Sequence, residues 1–168
     1  MVRELAEKLA TLEEFSEDVI AEIKFFRGNF EDEVKILKAA RAMATVQATS
    51  TQGKVLVKLM KPREKICVAV GQCEFEAGKF AFTANEVLNF VEEVGDKNEI
   101  HRLTPPIVPG FLVLETLLKS EKFSSCENLT LRFKQFTAAG EQLVLQSKGD
   151  KIFELRSRDA VKVLISVD

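Results

Sequence analysis

Apolar positions in this chain recur at helical spacing in some stretches and as short strand-like runs in others. Val2, Leu5, Leu9, Leu12, Val19 and Ile23 follow one another at steps near three and four, with Phe15 beside the gap at Ser16. That period predicts one long amphipathic helix packed on the domain, closing at Arg27-Gly28-Asn29. From Val34 to Phe75 the runs shorten to 34–37, 42–48, 54–60 and 65–71, with Gln52-Gly53 and Lys61-Pro62-Arg63 between the later ones. They predict mostly antiparallel strands, although 31–41 also fits a helix. Phe80-Ala81-Phe82 reads as a short strand. Thr83-Ala84-Asn85-Glu86 is a capping box ahead of Val87, Leu88, Phe90, Val91 and Val94, with Gly95 closing that helix. The segment from Asp96 to Pro109 holds three of the four prolines and predicts a loop. Phe111, Leu112, Val113, Leu114, Leu117 and Leu118 then predict a helix over 110–120 that is buried on nearly every side. Beyond Cys126, strands are expected at 128–136, 141–148, 151–157 and 160–167, turning at Ala139-Gly140 and Lys148-Gly149-Asp150.

Composition narrows the picture. The chain has 168 residues, 46% hydrophobic and 30% charged, enough for one well-buried domain or two small layers sharing a core. It has no Trp or Tyr, so 13 Phe carry the aromatic packing. A net charge of −2 with no basic block argues against a nucleic-acid partner. No apolar run approaches the roughly 20 residues of a membrane span, so no membrane association is expected. The acidic, amphipathic start MVRELAEKLATLEEF is unlike a secretory signal. Cys67, Cys73 and Cys126 are odd in number and lack metal-ligand spacing. They read as buried reduced thiols of a cytoplasmic protein with no metal site.

Candidate chemistry is concentrated around the proline-rich loop. His101, the sole histidine, lies five residues after Asp96 and fourteen before Glu115. Glu115 interrupts the apolar run, where an unpaired carboxylate is costly. A carboxylate buried near an imidazole is a site hypothesis with a physical basis. Each residue also has a plain structural reading. Glu115 could bridge to Lys119 one turn on, Asp96 and Asn98 could be turn residues after a helix-ending glycine, and a lone histidine is more often structural. Their joint spacing favours a site.

The residues Gly95-Asp96-Lys97-Asn98-Glu99-Ile100-His101 resemble the G-D-x-N-P-x-H signature of MaoC-like (R)-specific enoyl-CoA hydratases. From His101 through Pro106-Ile107-Val108-Pro109-Gly110-Phe111-Leu112 to Glu115, the chain is similar to a signature of the β-hydroxyacyl-ACP dehydratases. Phe133-Lys134-Gln135-Phe136-Thr137-Ala138-Ala139-Gly140-Glu141 is similar to the strand-turn-strand after the central helix in MaoC-like proteins. The likeness covers residues 79–168. Departures are Glu99 for the signature proline, Arg102-Leu103-Thr104 for the F-P-G after histidine, and Pro109 where MaoC-like enzymes usually carry histidine.

This resemblance implies an α+β hot-dog fold, an antiparallel sheet wrapped around one buried helix. It implies a dehydratase interconverting (R)-3-hydroxyacyl and trans-2-enoyl thioesters without a cofactor, acting on acyl-CoA or acyl-ACP. Asp96, His101 and Glu115 would be catalytic. Glu115 would serve as the carboxylate in the ACP-dehydratase branch, often facing a histidine of another protomer. Asn98, Pro109 and Gly110 would bind substrate, with the Gly110 N–H and the helix dipole meeting the thioester carbonyl. Fold analogy also implies a homo-oligomer. A hot-dog thioesterase and a non-catalytic acyl-binding module are the alternatives. Residues 1–78 are either a degenerate half of a double hot-dog, suggested by the repeat of helix then strands and by Gly53 and Gly149, or an unrelated helical and β extension.

Overall fold

The first 27 residues fold as two elements rather than the single helix that their spacing predicts. Helix α1 spans Val2–Ala10, a 3-10 turn follows at Glu13–Phe15, and strand β1 runs Val19–Arg27. The step of four from Val19 to Ile23 satisfies a helical period and equally spans two periods of a strand, here interrupted by a bulge between Ile20 and Glu22. The β-branched and aromatic content of VIAEIKFF decides for the strand. Ile23 and Phe25 accordingly face the core, while Glu22 points to the opposite face. A computed structural model of the chain describes residues 1–62, 79–158 and 160–168; the strand expected at 65–71 lies outside them, as do Cys67 and Cys73.

The other elements follow the pattern more closely. Strands β2 (Glu33–Ala40), β3 (Met43–Ser50) and β4 (Gly53–Met60) form a meander, so 31–41 is strand and not helix. Then come β5 (Lys79–Phe80), α2 (Ala84–Val94), a 3-10 turn at Glu99–Arg102 and α3 (Gly110–Lys119). Strands β6 (Asn128–Phe133), β7 (Leu143–Ser147), β8 (Ile152–Ser157) and β9 (Ala160–Val167) complete the chain. Both halves of the capping box form on α2. The Thr83 hydroxyl accepts from the Glu86 N–H at 3.1 Å, and the Thr83 N–H donates to the Glu86 carboxylate at 2.7 Å. Gly95 ends the helix in the left-handed region, at φ 67°.

The nine strands of the described residues join one antiparallel sheet in the order β2-β3-β4-β1-β6-β9-β8-β7-β5. Its registers align Val46, Val57, Ile23, Leu131, Ile165 and Phe153 in one row across six strands. Every member of that row is buried, and the helices cover this face. α3 is the central helix: Phe111, Leu112, Val113, Leu114, Leu117 and Leu118 are all buried, as a helix apolar all round requires. A sheet wrapped on one buried helix is the hot-dog arrangement. On the opposite face Glu22 holds three strands together, with Lys58 Nζ and Arg132 Nε each 2.8 Å from its carboxylate.

The sequence helix-then-four-strands occurs twice. Val2, Val19, Glu33, Met43 and Gly53 start five elements, and Gly110, Asn128, Leu143, Ile152 and Ala160 start five more, each pair about 108 residues apart. Gly53 therefore corresponds to Ala160, and Gly149 lies in the turn before β8. The two runs of elements meet where β1 pairs with β6. β5 flanks β7, whereas among the described residues no strand flanks β2 on its outer side. No helix of the described residues is long and apolar enough to cross a membrane.

Candidate active site

The loop after α2 is built from successive side-chain-to-backbone bonds that short polar residues make readily. Asp96 turns its Oδ1 back to accept from the Asn98 N–H at 2.9 Å. Asn98 repeats the move, accepting from the Ile100 N–H at 3.2 Å and so capping the 3-10 turn that carries His101. Its amide Nδ2 donates to the Asp18 carbonyl at 2.9 Å, tying the loop to the foot of β1. Arg102 Nη2 donates to the Asp96 carbonyl at 2.9 Å. Beyond the prolines, the Val108 N–H donates to the Thr137 carbonyl at 2.8 Å and the Ala139 N–H to the Pro106 carbonyl at 2.9 Å. Two turns of unlike sequence thus hold each other rigid beside α3.

His101 is 7% exposed. Its Nδ1 lies 2.7 Å from the Ile107 carbonyl. A carbonyl only accepts, so Nδ1 carries the proton and the neutral ring presents a lone pair at Nε2. Facing that lone pair at 3.5 Å is Asp96 Oδ2, the carboxylate oxygen not committed to Asn98. Burial depresses the imidazole pKa below its ordinary value. The Asp96 charge and the bond to Ile107 oppose that shift, and Arg102 adds to it. Two acceptors confronting each other at this separation form a seat for a molecule with two polar hydrogens, such as water, or for a hydroxyl approaching a base.

Both groups open onto a cavity of about 310 Å³, near the lower end for small-molecule sites. Asn98, Pro109 and Gly110 line the same cavity, so five of the six sequence-predicted residues come together. Pro109 caps α3 with extended backbone. As the opening residues of α3, Gly110 and Phe111 have N–H groups without intrahelical partners, and there the helix dipole favours negative charge. A Cβ at Gly110 would sit 3.0 Å from the Phe133 ring and 3.3 Å from Ile20 Cδ1. Glycine therefore keeps the space between helix and sheet open. Further in, the walls are apolar, with Leu9 and Leu12 near α1, Val57 and Leu59 of β4, Phe90 of α2 and Val113 of α3 among them.

Glu115, the sixth residue, lies outside this cavity lining. Arg3 Nε and Nη2 donate to its two oxygens at 3.0 and 3.2 Å, and Lys119 Nζ is 3.2 Å away. Burial pushes its pKa up, but the bonds and charges of Arg3 and Lys119 outweigh that and hold it below the ordinary value. Arg3 also pairs with Glu93 and lies over the Phe90 ring. The expected bridge to Lys119 is present. Arg3 was not foreseeable, because only folding brings residues 112 apart in sequence into contact. Asp18 was also missed: it lines the cavity from the foot of β1, outside any recognisable motif.

No protein-family model matches the sequence, and no curated protein sequence matches it. Likeness is found among solved structures. HtdX from Mycobacterium tuberculosis superposes with a TM-score of 0.68 at 13% identity, over 99% of this chain and 86% of that one. The peroxisomal multifunctional enzyme type 2 of Drosophila melanogaster gives 0.60 at 10% identity, over 99% of this chain and 40% of that one. A MaoC-like dehydratase from Phytophthora capsici gives 0.54 at 12% identity, over 91% and 70%. At these identities the shared feature is the fold.

Proposed function

We propose that the chain is an acyl-thioester hydratase/dehydratase that interconverts trans-2-enoyl and (R)-3-hydroxyacyl thioesters. The observation that carries this reading is the opposition of Asp96 Oδ2 and His101 Nε2 at 3.5 Å on one cavity with the opening of α3. The fold, shared with a structure described as a MaoC-like dehydratase, is consistent with it.

In the hydration direction, water bridges the two acceptors from the cavity side, since 3.5 Å leaves no room directly between them. His101 Nε2 takes one proton as the water oxygen bonds to C3. The electron pair of the C2–C3 double bond moves toward the thioester, and negative charge gathers on its carbonyl oxygen. The Gly110 and Phe111 N–H groups stabilise that charge, a contribution on the order of 3 kcal/mol for one such donor. His101 then delivers its proton to C2, so one water is added and the neutral imidazole is restored. Asp96 holds the water's second hydrogen and supports the transient imidazolium. Dehydration is the reverse, and the apolar walls take the acyl chain.

In this reading Glu115 is structural, clamping α3 to α1 through Arg3. We also read residues 1–78 as a degenerate hot-dog half, because they repeat the element order and supply cavity wall without supplying an imidazole. All reacting groups come from one chain, so turnover does not need a second protomer. The assay is run with both CoA and acyl-carrier-protein thioesters.

Hydration of enoyl-CoA, followed by loss of the conjugated thioester absorbance, tests the proposal. Asp96→Asn and His101→Ala should each lower kcat/KM by 10²–10⁴-fold, the usual range for a positioned acid or base. Glu115→Gln should stay within a few-fold. Equal rates in wild type, Asp96→Asn and His101→Ala would exclude this chemistry. Thiol release from saturated acyl-CoA would instead favour a thioesterase.

A further inference from the structure

The mechanism leaves one acidic group in the cavity unused. Asp18 immediately precedes β1, is 8% exposed and lines the same cavity as Asp96 and His101. Its backbone is fully engaged: the N–H donates to the Phe15 carbonyl at 2.9 Å and the carbonyl accepts from Asn98. Its carboxylate has no such partner. Among the described residues no hydrogen bond and no ion pair reaches either oxygen, in contrast to Glu22 and Glu115, which are buried to a similar degree and each held by two cations. The nearest charges that influence it are Lys61, which favours the ionised form, and Glu17, which opposes it. Burial outweighs Lys61 and pushes the carboxyl pKa up.

The Asp18 carboxyl oxygens have no protein partner but still reach solvent, and an occupant filling the cavity would take that water away, at a cost unless it offers a partner in return. The apolar neighbours of Asp18, among them Val19, Ile20 and Phe15, suit methylene groups. A plain alkyl chain would leave the carboxyl stripped of water and unpaired. A chain with a hydroxyl at that point would satisfy it in either protonation state, since a hydroxyl both donates and accepts.

We infer that Asp18 is a specificity-determining residue, whose unpartnered carboxyl on the cavity wall selects acyl chains bearing a hydroxyl beyond the reacting carbons. This rests on the acyl-thioester reading above but adds a preference that reading does not contain. The hydroxyl at C3 belongs to Asp96 and His101, and neither makes a hydrogen bond with Asp18.

The test is calorimetric binding of a saturated medium-chain acyl-CoA and of isomers carrying one hydroxyl at successive carbons beyond C3. Wild type should bind one isomer at least about tenfold more tightly than the saturated chain, as one satisfied buried hydrogen bond allows. Asp18→Leu should abolish that ratio, whereas Asp18→Asn, which still donates and accepts, should keep most of it. The unliganded melting temperature gives a second readout. Both variants should melt no lower than wild type, because the Asp18 carboxyl makes no protein hydrogen bond or ion pair that the substitutions could break. A lower melting temperature in both would mark Asp18 as a structural residue and overturn the inference. So would a ratio unchanged by Asp18→Leu, or the absence of any preferred isomer. If an enoyl thioester is hydrated but the ratio is flat, only the role of Asp18 fails; if the acyl group binds wild type on neither CoA nor acyl carrier protein, the thioester reading fails with it.

Discussion

The fold disfavours a proton on His101, as the base of the proposed mechanism requires. Burial depresses its pKa below the ordinary 6.5 despite the Asp96 charge, so the neutral ring is the ground state. As pH falls below that ordinary value, the unfolded chain gains a proton that the folded chain does not yet accept. Stability therefore falls with decreasing pH until the depressed folded pKa is reached, and levels off beneath it. His101→Gln should flatten this part of the profile, as measured by urea midpoints across pH. Glu115 behaves in the opposite functional sense. Its folded pKa lies below the ordinary 4.5, so the stabilisation from Arg3 and Lys119 is complete above that value and lost as pH falls past it. Near neutral pH, Glu115→Gln should lower the urea midpoint while sparing turnover, which separates a clamp from a catalyst.

At the scale of elements, α1 shows what a short helix contributes when its packing is long-range. Nine residues are too few for a stable helix in isolation, and α1 is held by tertiary contact. Leu5 is fully buried against the common core, with Val2 and Ala6 beside it. Leu5→Ala should cost about 2–5 kcal/mol, read from urea unfolding. The elements legible in the sequence were those with local signals. The Thr83–Glu86 box and Gly95 delimit α2, and the apolar run delimits α3. The loop from Asp96 to His101 was legible because its bonds connect residues two or three apart. β1 was not, because a spacing of four serves both periods; its β-branched and aromatic content tips it to strand, and its pairing between β4 and β6 fixes it there. The partnership of Arg3 with Glu115 and the arrival of Asp18 beside Asn98 depend on that same distant assembly.

Across the whole molecule, the cavity and the sheet both straddle the seam between β1 and β6. Residues 79–168 hold Asp96, His101 and Gly110 but lack the walls supplied by α1, β1 and β4. Cut free, they would also present β6 as an unpaired edge carrying Leu129 and Leu131, which are buried in the intact chain. Expressed alone, this fragment should fail to give a monomeric, cooperatively melting species by gel filtration and circular dichroism. A well-folded monomer would show that the N-terminal part is an accessory. The chain contains a single imidazole, and it lies after α2, outside the first run of helix and four strands. If the proposed chemistry holds, each chain offers one reaction centre whatever number associate, so titration with a tight ligand should reach its equivalence point at one molecule per polypeptide.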